Sequence, residues 1–162
     1  MTGAVMTIEE LLHHATLINL RMQYEREGML EFIRSVVPEA QSLEPDQAQW
    51  KVAAAITDEE LNFISGMRLR SDDAFYEVHY SIDYALEGCT AAEVSDELIC
   101  EFFSRVAFFA VYPYFRASIS QQAARIEEPA PLLPIVKAGD VSFDSMNIIR
   151  PDTEHPEPQT EE

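Results

Sequence analysis

The chain has 162 residues, of which 29 are Asp or Glu and 11 are Lys or Arg, giving a formal net charge of −18. So acidic a surface repels phosphate backbones and anionic headgroups, which argues against nucleic acid and membrane as partners and favours basic or partly basic polypeptide. With 47% hydrophobic residues, nine Phe and six Tyr, one domain of this length can bury roughly 70% of its unfolded surface, so the charge does not imply disorder.

Cys89 and Cys100 are too few for a disulfide framework. No apolar run approaches the ~18 residues of a membrane span. Met1–Glu10 lacks a basic segment ahead of an apolar one, as a signal peptide would have. These readings lead to a cytoplasmic protein.

Thr7 to His14 reads as a short helix, with Thr7 and Glu10 at capping-box spacing. Ile18, Leu20, Met22 and Tyr24 then alternate with Asn19, Arg21 and Gln23, the period-two pattern of a half-buried strand. Met29 to Val37 is apolar and fits either a strand or a short helix, ended by Pro38. A second strand has Trp50, Val52, Ala54 and Ile56 on one face. A third sets Leu61, Phe63, Met67 and Leu69 against Asn62, Arg68 and Arg70. After a Ser71-Asp72-Asp73 turn, the fourth sets Tyr76, Val78, Tyr80, Ile82, Tyr84 and Leu86 against Phe75, Glu77, His79, Ser81 and Asp83. The expected fold class is α+β, a four-stranded antiparallel sheet with one apolar face.

The period then changes. Ser95 or Asp96 can cap a long helix from about Glu97 to Ile126, with Leu98, Phe102, Val106, Phe109 and Ala110 on its apolar face. Pro113 predicts a kink or break. Pro129 to Pro134 holds three prolines and reads as extended. The segment 151–162, with three prolines and five acids, reads as a disordered acidic tail after a single domain, 1–150.

Catalytic patterns are missing from this reading. The five glycines form no phosphate cradle, and the four histidines are scattered: His13 and His14 diverge on a helix, His79 faces the polar side of its strand, and His155 is in the tail. Cys100, near Phe102 and Phe103, reads as a small buried hydrophobe. Glu9-Glu10 and Glu59-Glu60 read as exposed pairs. No cofactor, metal or enzymatic activity is expected.

The second half carries a resemblance. Phe109-Ala-Val-Tyr-Pro-Tyr-Phe-Arg116 is similar to the main helix of the SecB-type export chaperones. Pro129-Ala-Pro-Leu-Leu-Pro-Ile-Val136 resembles their crossover loop, Val141-Ser-Phe-Asp144 the step after it, and Ala74-Phe-Tyr-Glu-Val78 the start of their fourth strand. This resemblance spans about Asp73 to Asp144. It implies a homotetramer, a dimer of dimers, that acts without ATP as a holdase for non-native polypeptide. It also implies a contact with the SecA export motor through acidic residues, of which Glu77 is the one retained; the first strand offers Asn19 and Gln23 instead. The family's second helix after the Phe-Asp step is expected to be short or missing. A divergent SecB-like branch protects antitoxins, and the departures tilt the reading towards it, so the partner is either non-native polypeptide at large or a dedicated antitoxin. The client groove is expected from Tyr76, Tyr80 and Tyr84 on one strand face, Phe109 and Tyr112 one helical turn apart, and Leu132 and Leu133 on a proline-stiffened lip. Ordinary core or interface packing is the competing role for the same aromatics.

Overall fold

The structure, a computed structural model, describes residues 5–137 and 139–151. Helix α1 (Ile8–His14) opens on the reciprocal cap expected for it. The Thr7 hydroxyl accepts from the Glu10 N–H at 3.3 Å, and the Glu10 carboxylate accepts from the Thr7 N–H at 2.7 Å.

Strand β1 (Ala15–Met29) follows directly and runs for 15 residues. Its register slips between Leu17 and Asn19 and again between Met22 and Tyr24. Each slip inserts one unpaired residue, and one residue is half the side-chain period of a strand. The second slip therefore sends Tyr24 to the face opposite Leu20 and Met22, which corrects the single alternation expected from Ile18 to Tyr24. The ambiguous stretch after Met29 resolves as a one-turn helix α2 (Leu30–Ile33) and a 3₁₀ turn (Pro38–Ser42). Ile33, Val37 and Ala40 pack on Phe75 as a small second core on the far side of the sheet.

Strands β2 (Gln49–Ile56), β3 (Glu60–Arg70) and β4 (Ala74–Leu86) form an antiparallel meander. Thr57 closes the first turn, its hydroxyl accepting from Glu60 N–H at 3.1 Å; Ser71 closes the second, accepting from Ala74 N–H at 3.1 Å. β1 pairs with β4, so β4 sits in the middle of the sheet and is buried along most of its length. The order is β1-β4-β3-β2-β5. The fifth strand was not expected. β5 (Asn147–Ile149) lies parallel against Ala53–Ala55 of β2, so the sheet has five strands and is mixed, not four and antiparallel. No helix follows Phe143-Asp144 among the described residues; β5 does. Arg150 fixes it, donating to the carbonyls of Ala91 and Val94 at 2.9 and 2.7 Å and to Asp96.

The long helix covers the inner face. Ser95 caps it by accepting from the Leu98 N–H at 3.1 Å. It continues as α3 (Asp96–Phe102), a π-helical turn (Phe103–Ala107) and α4 (Phe108–Arg125). The helix is assigned straight through Pro113; the irregular turn lies earlier, at Phe103–Ala107, so the break expected at the proline is displaced. Ser104 answers for part of it: its hydroxyl donates to the Cys100 carbonyl at 2.8 Å and accepts from the Phe143 N–H at 2.9 Å. This ties the crossover segment to the wide turn. The helix Asp96–Arg125 contains a window long and apolar enough by composition to cross a bilayer, mean hydropathy 1.3, but 61% of that window is buried within the protein. Counting contiguous apolar runs passes over it, because its polar residues fall at regular intervals.

The main core lies between this helix and the inner face of the sheet, where Phe63, Met67, Tyr76 and Ile82 meet Phe102, Phe103, Phe108 and Phe115. Cys89 is buried there and Cys100 is buried outside it, near Ser104 and Phe143; both are unpaired. Burial, and then nearby carboxylates, push both thiols above their ordinary range. That makes them inert small hydrophobes and not nucleophiles.

Candidate binding groove

The residues expected to line a client groove divide into two groups. Tyr76, Tyr80 and Tyr84 share one face of β4 at period two, as expected, but that face is covered by the helix and all three are core residues. The Tyr80 hydroxyl bonds to Ser118 and the Tyr114 carbonyl, and its ring meets Phe115 edge-on at 5.1 Å. Tyr84 packs edge-on against Phe102 at 4.9 Å, and burial pushes its phenol up to about 12. They form no accessible floor. The physical reason is that a central strand beneath a long helix has no open face, whatever its alternation.

The second group meets at the end of the sheet. Tyr112 on α4 donates from its hydroxyl to the Pro134 carbonyl at 2.6 Å, which holds the crossover segment against the helix. Leu133 turns inward and is 9% exposed; Leu132 beside it is 95% exposed, and Ile135 is 79% exposed. Prolines on both sides fix this segment as extended, so neighbouring side chains point opposite ways and one of each pair stays in water. Phe109 is half-buried beside Phe108, with ring centroids 5.6 Å apart.

Between these elements lies a groove of about 370 Å³, lined by Trp50, Phe108, Tyr112, Leu133, Val136 and Val141 with Asp46 at its rim. Trp50, the single tryptophan of the chain, is its hub. Its ring lies 5.3 Å from Phe108, 6.3 Å from Tyr112 and 5.1 Å from Phe115. Neither Trp50 nor Phe108 was expected at the site. A lone Trp at the start of a strand, on its apolar face, was the available signal, since large amphipathic rings are favoured at binding surfaces.

Glu77 stands elsewhere. It lies on the outer face of the sheet, and its carboxylate is 2% exposed, gripped by Arg26 at 2.8 Å and by Arg68, with His79 Nε2 at 3.5 Å. Burial would push this carboxyl up, but the hydrogen bonds and charges of the two arginines outweigh it and hold the group below its ordinary range. An acid so enclosed is not a surface contact for a partner. Among the described residues, no group of His, Cys, Asp or Glu is placed to hold a metal.

These features define a SecB-like fold, and comparison with known proteins supports that assignment in sequence and structure. No family model matches the chain. Over 54 residues it is 41% identical to the SecB-like chaperone SmegB of Mycolicibacterium smegmatis; the match takes in 33% of this chain and about a third, 37%, of that protein's length. In three dimensions it is similar to the Rv1957 SecB-like chaperone of Mycobacterium tuberculosis, solved in complex with a ChAD peptide from the HigA1 antitoxin. There the TM-score is 0.61 at 15% identity, over 80% of this chain and 92% of that one. The chain is thus SecB-like in fold over most of its length and in sequence over a third of it.

Proposed function

We propose that the chain is a non-catalytic, ATP-independent holdase, its residues 1–150 forming one cytoplasmic chaperone domain that captures extended apolar segments of other chains. The groove around Trp50, Phe108, Tyr112 and Leu133, with Phe109 beside Phe108 and Leu132 on its lip, is the capture site. The observation that carries this reading is the crossover segment. Leu132 and Ile135 stay in water on a stiff, pre-extended backbone beside an aromatic hollow, an arrangement that costs a monomer solubility and favours binding. The likeness to a SecB-like chaperone crystallised with an antitoxin peptide supports it further. An antitoxin segment is the client we favour over general export, because the buried Glu77 offers no acidic surface to an export motor. The assembly we propose is a homotetramer. In its support, β1 is a bare 15-residue sheet edge that leaves Leu17, Ile18 and Met22 exposed.

Light scattering of an aggregating client tests the holdase. Suppression near one tetramer per client supports it, and none at that ratio ends it. Titration with the C-terminal segment of an antitoxin encoded beside this chain separates the two client classes: one tight partner and weak general suppression favours the dedicated role. Light scattering of the protein alone, reading a monomer at micromolar concentration, removes the tetramer.

A further inference from the structure

The outer face of the sheet carries a charge pattern unlike the rest of the molecule. Strand pairing sets its side chains in rows across β2, β3, β4 and β1. One row is Gln49, Arg68, Glu77 and Arg26; the next is Lys51, Gly66, His79 and Tyr24; the third is Ala53, Ile64, Ser81 and Arg21. Arg70, paired with Phe75, lies one row beyond. Five of the chain's 11 Lys and Arg residues therefore share this face. Within the three rows stand Glu77, sunk beneath the arginines, and Glu39, which reaches Arg68 at 3.5 Å from the neighbouring 3₁₀ turn; Asp83 bounds them one row beyond Ser81, and Glu31, Asp72 and Asp73 surround Arg70 at the other end. In a chain of net charge −18, that is a basic island in an acidic surface.

The island has relief. Gly66 presents no side chain, and the His79 ring lies across it; a Cβ there would fall 2.4 Å from the ring. The space beside it is a hollow of about 500 Å³ walled by Glu39, Gln49, Trp50, Lys51, Arg68 and His79. Lys51 and Arg21 are exposed and have no ion-pair partner among the described residues. Tyr24 and Ile64, 47% and 53% exposed, are the apolar pegs between them.

We infer that this face docks a short acidic, extended peptide segment of a partner protein. Side chains on one face of an extended chain recur about every 7 Å, as do the rows of the sheet, so alternate acids of a segment lying along the strands meet successive rows. The rows are roughly 14 Å wide, and charges beyond about 8 Å are screened at physiological salt, so a short segment senses the island and not the acidic body around it. A nucleic acid continues past the island onto repelling surface. The site opens on the other face of the sheet from the apolar groove, sharing only Trp50 with its wall, and is tested without it.

The test uses the full chain and fluorescence anisotropy. The probe is a fluorescein-labelled peptide of repeated Glu-Leu-Asp triplets, with a Lys-Leu-Lys peptide and a labelled single-stranded oligonucleotide as controls. The acidic peptide binds, more weakly as salt rises. Arg21→Glu with Lys51→Glu weakens it at least roughly tenfold, as reversal of two charges facing the ligand requires. Arg21→Gln with Lys51→Gln weakens it less, and Leu132→Ser leaves it unchanged. Circular dichroism of the variants matches the parent, since neither cation is paired or buried. Equal binding by parent and charge-reversed variant, equal binding of the basic peptide, or tighter binding of the oligonucleotide each overturns the inference.

Discussion

Replacing Glu77 by Gln keeps the shape of the side chain and removes its charge. The carboxylate is 2% exposed and faces two guanidiniums that are themselves 26% and 31% exposed. Removing one partner of a fully buried ion pair costs about 3–5 kcal/mol, because the other charge is left without compensation in a dry site. Here the cations reach water at their edges, and Arg68 keeps Glu39 at 3.5 Å, so a loss of about 2–3 kcal/mol is expected for Glu77→Gln. With m near 2 kcal/mol/M, the urea midpoint falls by roughly 1 M at unchanged slope. The pH dependence carries the sharper signature. A carboxyl held below its ordinary range in the folded state stabilises the protein above its unfolded value. That stability is lost as pH falls through the depressed folded value. The gap between parent and variant is therefore full at neutral pH and closes on acidification. A loss under about 1 kcal/mol, or a gap that does not change with pH, would refute the argument that this acid anchors the two arginines.

The two leucines of the crossover separate core from lip. Leu133→Ala lowers stability by about 2 kcal/mol, the low end for a buried leucine because the site is at the surface, whereas Leu132→Ser shifts it by less than about 0.5 kcal/mol and instead weakens client capture. Thermal melts read the first effect and client titration the second. Trp50, being the single tryptophan and a wall of the apolar groove, is a built-in reporter: client binding alters its emission. Tyr80→Phe removes the hydroxyl that bonds to Ser118 and the Tyr114 carbonyl. It costs about 1 kcal/mol in a denaturant titration without touching client affinity, as a core role requires.

The elements that could be read from the chain were those whose period was uninterrupted. β3 and β4 alternate cleanly, and both faces were assigned correctly, His79 to the polar side included. Thr7 and Ser95 announced their helices through local chemistry. β1 was only half legible, because a bulge is a single inserted residue with no composition of its own; nothing in Met22-Gln23-Tyr24 marks where the alternation inverts. β5 was missed because three residues are too few to show a period. For the site, the lip at Leu132 could be inferred from prolines flanking leucines. The tyrosines of β4 could not be told from a floor, since period two says which side chains share a face and not what covers it. Glu77 was expected as a partner contact from the resemblance alone, which does not show what encloses it. Its burial depends on Arg26 and Arg68, 51 and nine residues away in the chain, brought together only by pairing.

The short strand β5 has a consequence for stoichiometry. It occupies the C-terminal half of the β2 edge, Ala53–Ala55, and is held there by Arg150, so a full-length strand cannot be added along β2 without displacing it. Of the two margins, β1 offers 15 residues and β5 three, so β1 is the long free edge among the described residues. A sheet with two bare margins can propagate into a fibre, each copy templating the next. One with a single bare margin is spent once it has paired with a second copy. In the tetramer proposed above, three residues at the far edge would act as a chain terminator, limiting a protein with a long sticky strand to a fixed size.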